Sequence, residues 1–167
     1  MSKKRKKRLT GLVMGAVGLG CALLVAALFY GVMAYQLSGA DGAAAQSEPG
    51  RGVLALGEGE LVSQAQDTVE MGGVPCTVVT RVYALADGTA AEAVTAQPAA
   101  YLQRMSQEGW QPQLITGFVL AGLDAVYATR GDECLLAARE GEAVYLLRVA
   151  GDEQRAYALG ASAVLAQ

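Results

Sequence analysis

The chain of 167 residues is about one domain long, and its charge is divided: six of its thirteen Lys and Arg lie within residues 3–8, whereas all sixteen acids follow residue 40. Beyond the basic tail there are seven Arg, no Lys and sixteen acids, a net −9 that repels phosphates and argues against nucleic acid as a partner. The absence of His and Asn removes Ser-His-Asp and Cys-His nucleophiles, His-containing zinc sites and N-glycosylation, and no residue set calls for a cofactor.

Residues 1–10 read as a basic cytoplasmic tail. Residues 11–36 read as a transmembrane helix, because no charge occurs from Gly11 to Tyr35. As a helix that stretch is about 37 Å long, against roughly 30 Å of hydrocarbon. Ten of its 25 residues are Leu, Val or Phe, which favours insertion of the run into the lipid bilayer. Phe29, Tyr30 and Tyr35 fall where an aromatic belt would lie, and the six basic residues orient the N-terminus to the cytoplasm and the C-terminus outside the plasma membrane. A cleaved signal peptide is the competing reading, with Ala43-Ala44-Ala45 as the cleavage site, but its apolar run would be shorter. Gly11 and Gly15 are four apart in the span, a spacing that lets two helices approach closely and form a homodimer.

Residues 37–52 are small, polar and aperiodic and read as a flexible linker. Residues 53–167 then supply an outer domain with room for one modest core. A first strand is expected near residues 67–71, followed by Gly72-Gly73, and a second over 74–85, rich in β-branched and aromatic residues. Gln97-Pro98 opens a helix, with Tyr101, Leu102 and Met105 on its apolar face and Gly109 as its stop. Trp110 then falls where a helix-ending turn brings it against Met105.

Strands are expected at 114–120, 123–129, 134–138 and 143–149, with hairpin turns at Gly131 and Gly141. Gly151 instead precedes a helix over 153–166, capped by Asp152. The fold class is therefore α+β: a small antiparallel meander with two helices packed on one face.

Cys76 and Cys134 fall in predicted strands outside the membrane, where an oxidising compartment permits a disulfide; two separate buried thiols are the alternative. Tyr83, Tyr127 and Tyr145 lie on strands and are candidates to line a ligand groove, or to pack as cross-strand pairs. The acids cluster at turns and caps, where they solvate the chain; Asp124, inside a predicted strand, is the candidate for a carboxylate-dependent hydrolase. Arg130-Gly131-Asp132 matches an adhesion tripeptide, but its place at a hairpin tip explains its composition.

Two pieces of the outer domain resemble the SPOR peptidoglycan-binding repeats of bacterial envelope proteins. They are the helix-then-Gly segment from Ala99-Ala100-Tyr101-Leu102 to Glu108-Gly109, and Val144-Tyr145-Leu146-Leu147-Arg148-Val149-Ala150-Gly151 before the last helix. The first strand of that family has no counterpart, two extra strands intervene, and no strand is expected after the last helix; no binding residues carry over. The resemblance implies a glycan-binding envelope module. The residues themselves favour a non-catalytic binding, sensing or assembly module on a single-span anchor, with a protein partner in the envelope.

Overall fold

The structure is a computed structural model and describes residues 52–167. The expected transmembrane helix, with Gly11 and Gly15, lies outside the described residues, as does most of the linker. Among the described residues, no helix is long and apolar enough to cross a membrane.

The described residues form an α+β domain around one antiparallel sheet. Strands β1 (Val53–Ala55), β2 (Glu60–Met71), β3 (Val74–Ala84) and β4 (Ala90–Gln97) come first. A 3₁₀ turn (Ala99–Leu102) then runs into the short helix α1 (Gln103–Gln107). Next come β5 (Gln111–Pro112), β6 (Phe118–Leu120), β7 (Leu123–Arg130), β8 (Glu133–Glu140), β9 (Ala143–Ala150), helix α2 (Glu153–Ser162) and β10 (Val164–Ala166). The main sheet has the order β2-β3-β4-β9-β8-β7-β5, with β6 also paired to β7. Two meanders, β2-β3-β4 and β7-β8-β9, are thus joined through the antiparallel β4–β9 ladder. β1 and β10 make a separate two-stranded ribbon.

The turns follow from residues that tolerate positive φ. β2 and β3 are linked by Gly72 (φ 59°) and Gly73 (φ 84°), both in the region that a tight primed turn demands. With Met71 and Val74 bonded to each other across that turn, every second residue bonds across the ladder. Pro75, opposite Glu70, therefore falls at a position whose missing N–H costs no β2–β3 bond. Gly131 and Gly141 turn the β7–β8 and β8–β9 hairpins as expected.

Alternation along the strands defines two faces. On the first lie Tyr83, Ala91, Ala93, Tyr127, Cys134, Leu136, Ala138, Tyr145, Leu147 and Val149, which pack with Leu54, Leu56, Phe118, Leu120 and the α2 residues Ala156 and Leu159. The second face carries Val78, Val94, Ala96, Leu135, Ala137 and Leu146, and the segment from Tyr101 to Trp110 lies over part of it. The two helices therefore take opposite faces, not one. Strands β8 and β9 are buried through their centres on both sides, as is most of β4.

Four expectations at the level of elements change. β2 begins at Glu60, well before residue 67. The segment expected as a strand over 114–120 is a strand only at Phe118–Leu120, and Leu114 is 88% exposed on the preceding loop. Pro98 does not enter a helix: it is the extended residue before a 3₁₀ turn, and α1 is five residues long. The last helix stops at Ser162, because Ala163 turns extended and β10 leaves to pair with β1. Its start is as read: Asp152 accepts a hydrogen bond from the Arg155 N–H at 3.0 Å. The Arg155 side chain reaches Asp87 and Thr89 at the β3–β4 turn.

Helix α2 approaches the sheet most closely at Gly160. A Cβ built there would lie 2.4 Å from Leu136 Cδ1 and 2.4 Å from the Val119 carbonyl oxygen. Gly160→Ala is expected to destabilise the domain by about 1–3 kcal/mol despite the better helix propensity of Ala, because packed backbone must move. Denaturant unfolding of the variant checks this; an unchanged or raised midpoint would show that α2 sits less tightly on β6 than described.

Candidate binding surface

The most organised polar feature is on the second sheet face, around α1. Helix α1 ends in a Schellman turn: Gly109 has φ 78°, the Trp110 N–H bonds the Met105 carbonyl at 3.2 Å, and the Gly109 N–H bonds the Ser106 carbonyl at 3.3 Å. The turn puts Trp110 at the position that packs back onto Met105. Both are buried, Trp110 at 4% exposure, as the sequence predicts.

Trp110 is held from both sides by charge. Its indole N–H donates to Glu108 Oε2 at 3.2 Å, and the Arg130 guanidinium lies 4.5 Å from the ring centroid. Arg130 is thereby turned back onto the domain, which leaves the adhesion reading of its tripeptide without its arginine.

From this point a run of alternating charges crosses the sheet. Arg104 donates to Glu108 at 2.6 Å; Arg130 approaches Glu108 at 3.7 Å and pairs with Glu133 at 2.6 Å. Glu133 also pairs with Arg148 at 3.0 Å, and Arg148 approaches Glu92 at 3.9 Å. β4, β7, β8 and β9 each supply one member, and their register sets the order: Glu92 faces Arg148, and Arg130 faces Glu133. The hydrogen bond from Arg130 holds the Glu133 carboxyl below its usual range; burial, the next largest effect, opposes it, and the bond from Arg148 and the two Arg charges keep the net direction down. At Glu108 burial pushes upward, but the bonds from Arg104 and Trp110 and the nearby Arg charges outweigh it and the net direction is down.

Glu92, Tyr101, Arg104, Met105, Trp110 and Arg148 are among the residues around a cavity of about 60 Å³. That holds a water or two and is far below the roughly 300–1,000 Å³ of ordinary small-molecule sites. A second depression, open and acidic, is lined by Asp152, Glu153, Gln154 and Tyr157 along the start of α2.

The residues singled out from sequence go elsewhere. Cys76 and Cys134 are both free and buried. They lie on strands β3 and β8, separated by β4 and β9, and on opposite faces of the sheet, so no disulfide joins them and they are two separate buried thiols, the alternative the sequence leaves open. Burial pushes the Cys76 thiol up. The Cys134 thiol donates to the Gly151 carbonyl at 3.0 Å and lies 3.1 Å from the Tyr127 hydroxyl. Burial, then the bond to Cys134, raises the Tyr127 pKa.

Tyr83, Tyr127 and Tyr145 are 5%, 5% and 0% exposed, within the first-face core, so they do not line an open groove. Tyr127 stacks on Phe118 with ring centroids 4.7 Å apart. The tyrosines that do border depressions are Tyr101, which the sequence places on a helix face, and Tyr157 on α2. Asp124 is exposed opposite Val119 on β7. Among the described residues no group of three or more His, Cys, Asp or Glu is placed to hold a metal ion.

No family model matches the chain, and neither a curated protein nor a solved structure matches it.

Two outcomes follow from this surface. Trp110→Ala is expected to cost about 3–5 kcal/mol by loss of buried area and of the Arg130 stack, read by chemical denaturation. Glu133, with its folded pKa depressed, stabilises the domain above the ordinary carboxylate value of 4.5, and that contribution disappears as pH falls through the folded value. Stability should therefore decline from about pH 5 downward, and Glu133→Gln should flatten that decline. An acid limb identical in the two proteins would rule out this role for Glu133.

Proposed function

We propose that the chain is a single-span membrane protein whose outer α+β domain is a non-catalytic binding module for a protein partner near the membrane face. The observation that carries the anchored part is the uncharged run from Gly11 to Tyr35 with six basic residues on one side only, followed by a folded domain that starts at Val53. The N-terminus is cytoplasmic and the domain extracytoplasmic in this reading.

The binding part is supported by the character of the surface. The cavity beside α1 is too small for a metabolite, whereas extended exposed elements are available for a macromolecule: strand β2 and the loop carrying Leu114 and Ile115. A carboxylate hydrolase needs one acid kept protonated by a raised pKa. Glu108, which borders the cavity, is shifted the other way by its arginines. A glycan-binding role of the SPOR type gains no specific observation from the geometry.

Protease added to intact cells expressing the full chain should degrade the outer domain while leaving cytoplasmic controls intact. Complete protection, or a mature chain beginning near Gln46, would sink the anchored reading. Retention of the full chain by isolated cell-wall glycan would replace the protein-partner reading with the glycan one.

A further inference from the structure

The two edges of the main sheet are treated differently. At one edge, β7 is covered by two short strands, β5 and β6, and β5 contains Pro112. At the other, β2 presents twelve residues that, among the described residues, are paired on one side only, exposed from Glu60 to Thr68 and at Glu70. β2 contains neither Lys nor Pro, and its single irregularity is the bulge at Val62, near its start. The devices it does carry are that bulge and the acids Glu60, Asp67 and Glu70; between them Ser63, Gln64, Ala65 and Gln66 are uncharged and regularly paired, and such a stretch of edge is a template for another strand.

The hairpin geometry fixes which backbone groups are free. Because Met71 bonds Val74, the alternate residues Ala65, Asp67 and Val69 also bond to β3. Gln64, Gln66, Thr68 and Glu70 therefore direct their N–H and C=O groups outward. The same arithmetic restricts any antiparallel pairing of β2 with itself to registers that set outward residues opposite outward residues. Among these, a two-fold at Asp67 would oppose Asp67 to its own copy, and one at Ala65 would oppose Glu60 to Glu70. A two-fold at Gln66 avoids both. It sets Gln66 opposite Gln66, Gln64 opposite Thr68, Ala65 opposite Asp67, Ser63 opposite Val69 and Val62 opposite Glu70, and uses residues 61–71.

Charge also fits that register. Arg81 reaches across β2 to Gln64, its Nε 2.7 Å from Gln64 Oε1. With Gln64 opposite Thr68 of the second copy, Glu70 of that copy is a diagonal neighbour of Gln64, on the face that carries Arg81 one strand behind, while Asp67 meets its own copy only diagonally. The chain's own strongly basic segment, residues 3–8, lies across the membrane from β2 in the reading above and is not a competing occupant.

We infer that β2 pairs antiparallel with β2 of a second copy, centred on Gln66, so that two domains share one continuous sheet. This interface is separate from the expected contact through Gly11 and Gly15; it rests on the anchored reading only in setting the basic segment 3–8 aside as an occupant of the edge.

The test uses the full chain purified in detergent, in a Cys21→Ser background, with mild oxidation; Cys76 and Cys134 are buried and stay as they are. Opposed bonded residues have Cα atoms about 5.5 Å apart, within disulfide range. Gln66→Cys should give a covalent dimer. Gln64→Cys and Thr68→Cys should not, because each lies about 14 Å along the strand from its own copy, whereas the two together should. In the uncrosslinked protein, Ala65→Lys, placed opposite Asp67, should tighten the dimer at least about threefold by sedimentation, and Ala65→Glu should loosen it. No cross-link at residue 66, or equal cross-linking at 64, 66 and 68, overturns the proposal. A link from residue 66 to a cysteine placed within residues 37–51 also overturns it, and would give the edge to the chain's own linker.

Discussion

The domain depends on the ladder between β4 and β9. Chain order would leave two independent three-stranded meanders, each with a face it could not bury alone. Their union through Ala91–Val149, Ala93–Leu147, Thr95–Tyr145 and the alternating pairs between makes one wide sheet, with β4, β9 and β8 at its centre. A central strand covered on both sides needs a layer on each face, and the chain supplies α2 with the β1–β10 ribbon on one and the Tyr101–Trp110 segment on the other. The Leu54 N–H, which donates to Thr95 Oγ1 at 2.7 Å, ties the ribbon to this same central strand.

That two-sided arrangement separates the chemistry of the faces. The first face is closed by aromatic and aliphatic packing, and its polar groups, such as the Tyr127–Cys134–Gly151 contacts, are turned inward. The second face is closed by a small helix and then by alternating Arg and Glu, which are only partly exposed and share partners. Single exposed ion pairs contribute little, but a network on neighbouring strands fixes long side chains together and orients them. Here it clamps the only tryptophan, and it engages three acids and three arginines of that face with one another. Away from that network the domain exposes main-chain polarity at the β2 edge and a few apolar side chains, the features on which the proposed protein-binding role draws.

Much of this was legible in the residues because it is local. Glycines beside acids gave the β7–β8 and β8–β9 hairpins, since positive φ at the turn is a property of two residues. The Gly109 stop and the Trp110 position followed from helix-end geometry, and the Asp152 cap from a single side chain. Strand β4 was not legible: Ala90, Ala91, Glu92, Ala93 and Ala96 favour helix by intrinsic preference, and only pairing with β3 and β9 makes them extended. The same holds for β10, whose three residues continue a helical pattern until β1 offers them a ladder.

The sequence by itself determined a charge-divided chain, an uncharged run of membrane-spanning length, an acidic α+β domain and the sites of its turns, because each rests on composition or on residues a few positions apart. Tertiary structure alone decided where the functional candidates point. A one-residue shift of register carries every side chain of a strand to the other face, and register is set by partners distant in the chain. That is why Cys76 and Cys134 look suited to a disulfide in the sequence and yet stand on opposite sides of the sheet, why three strand tyrosines are core and not groove, and why six charges scattered from Glu92 to Arg148 meet in one line.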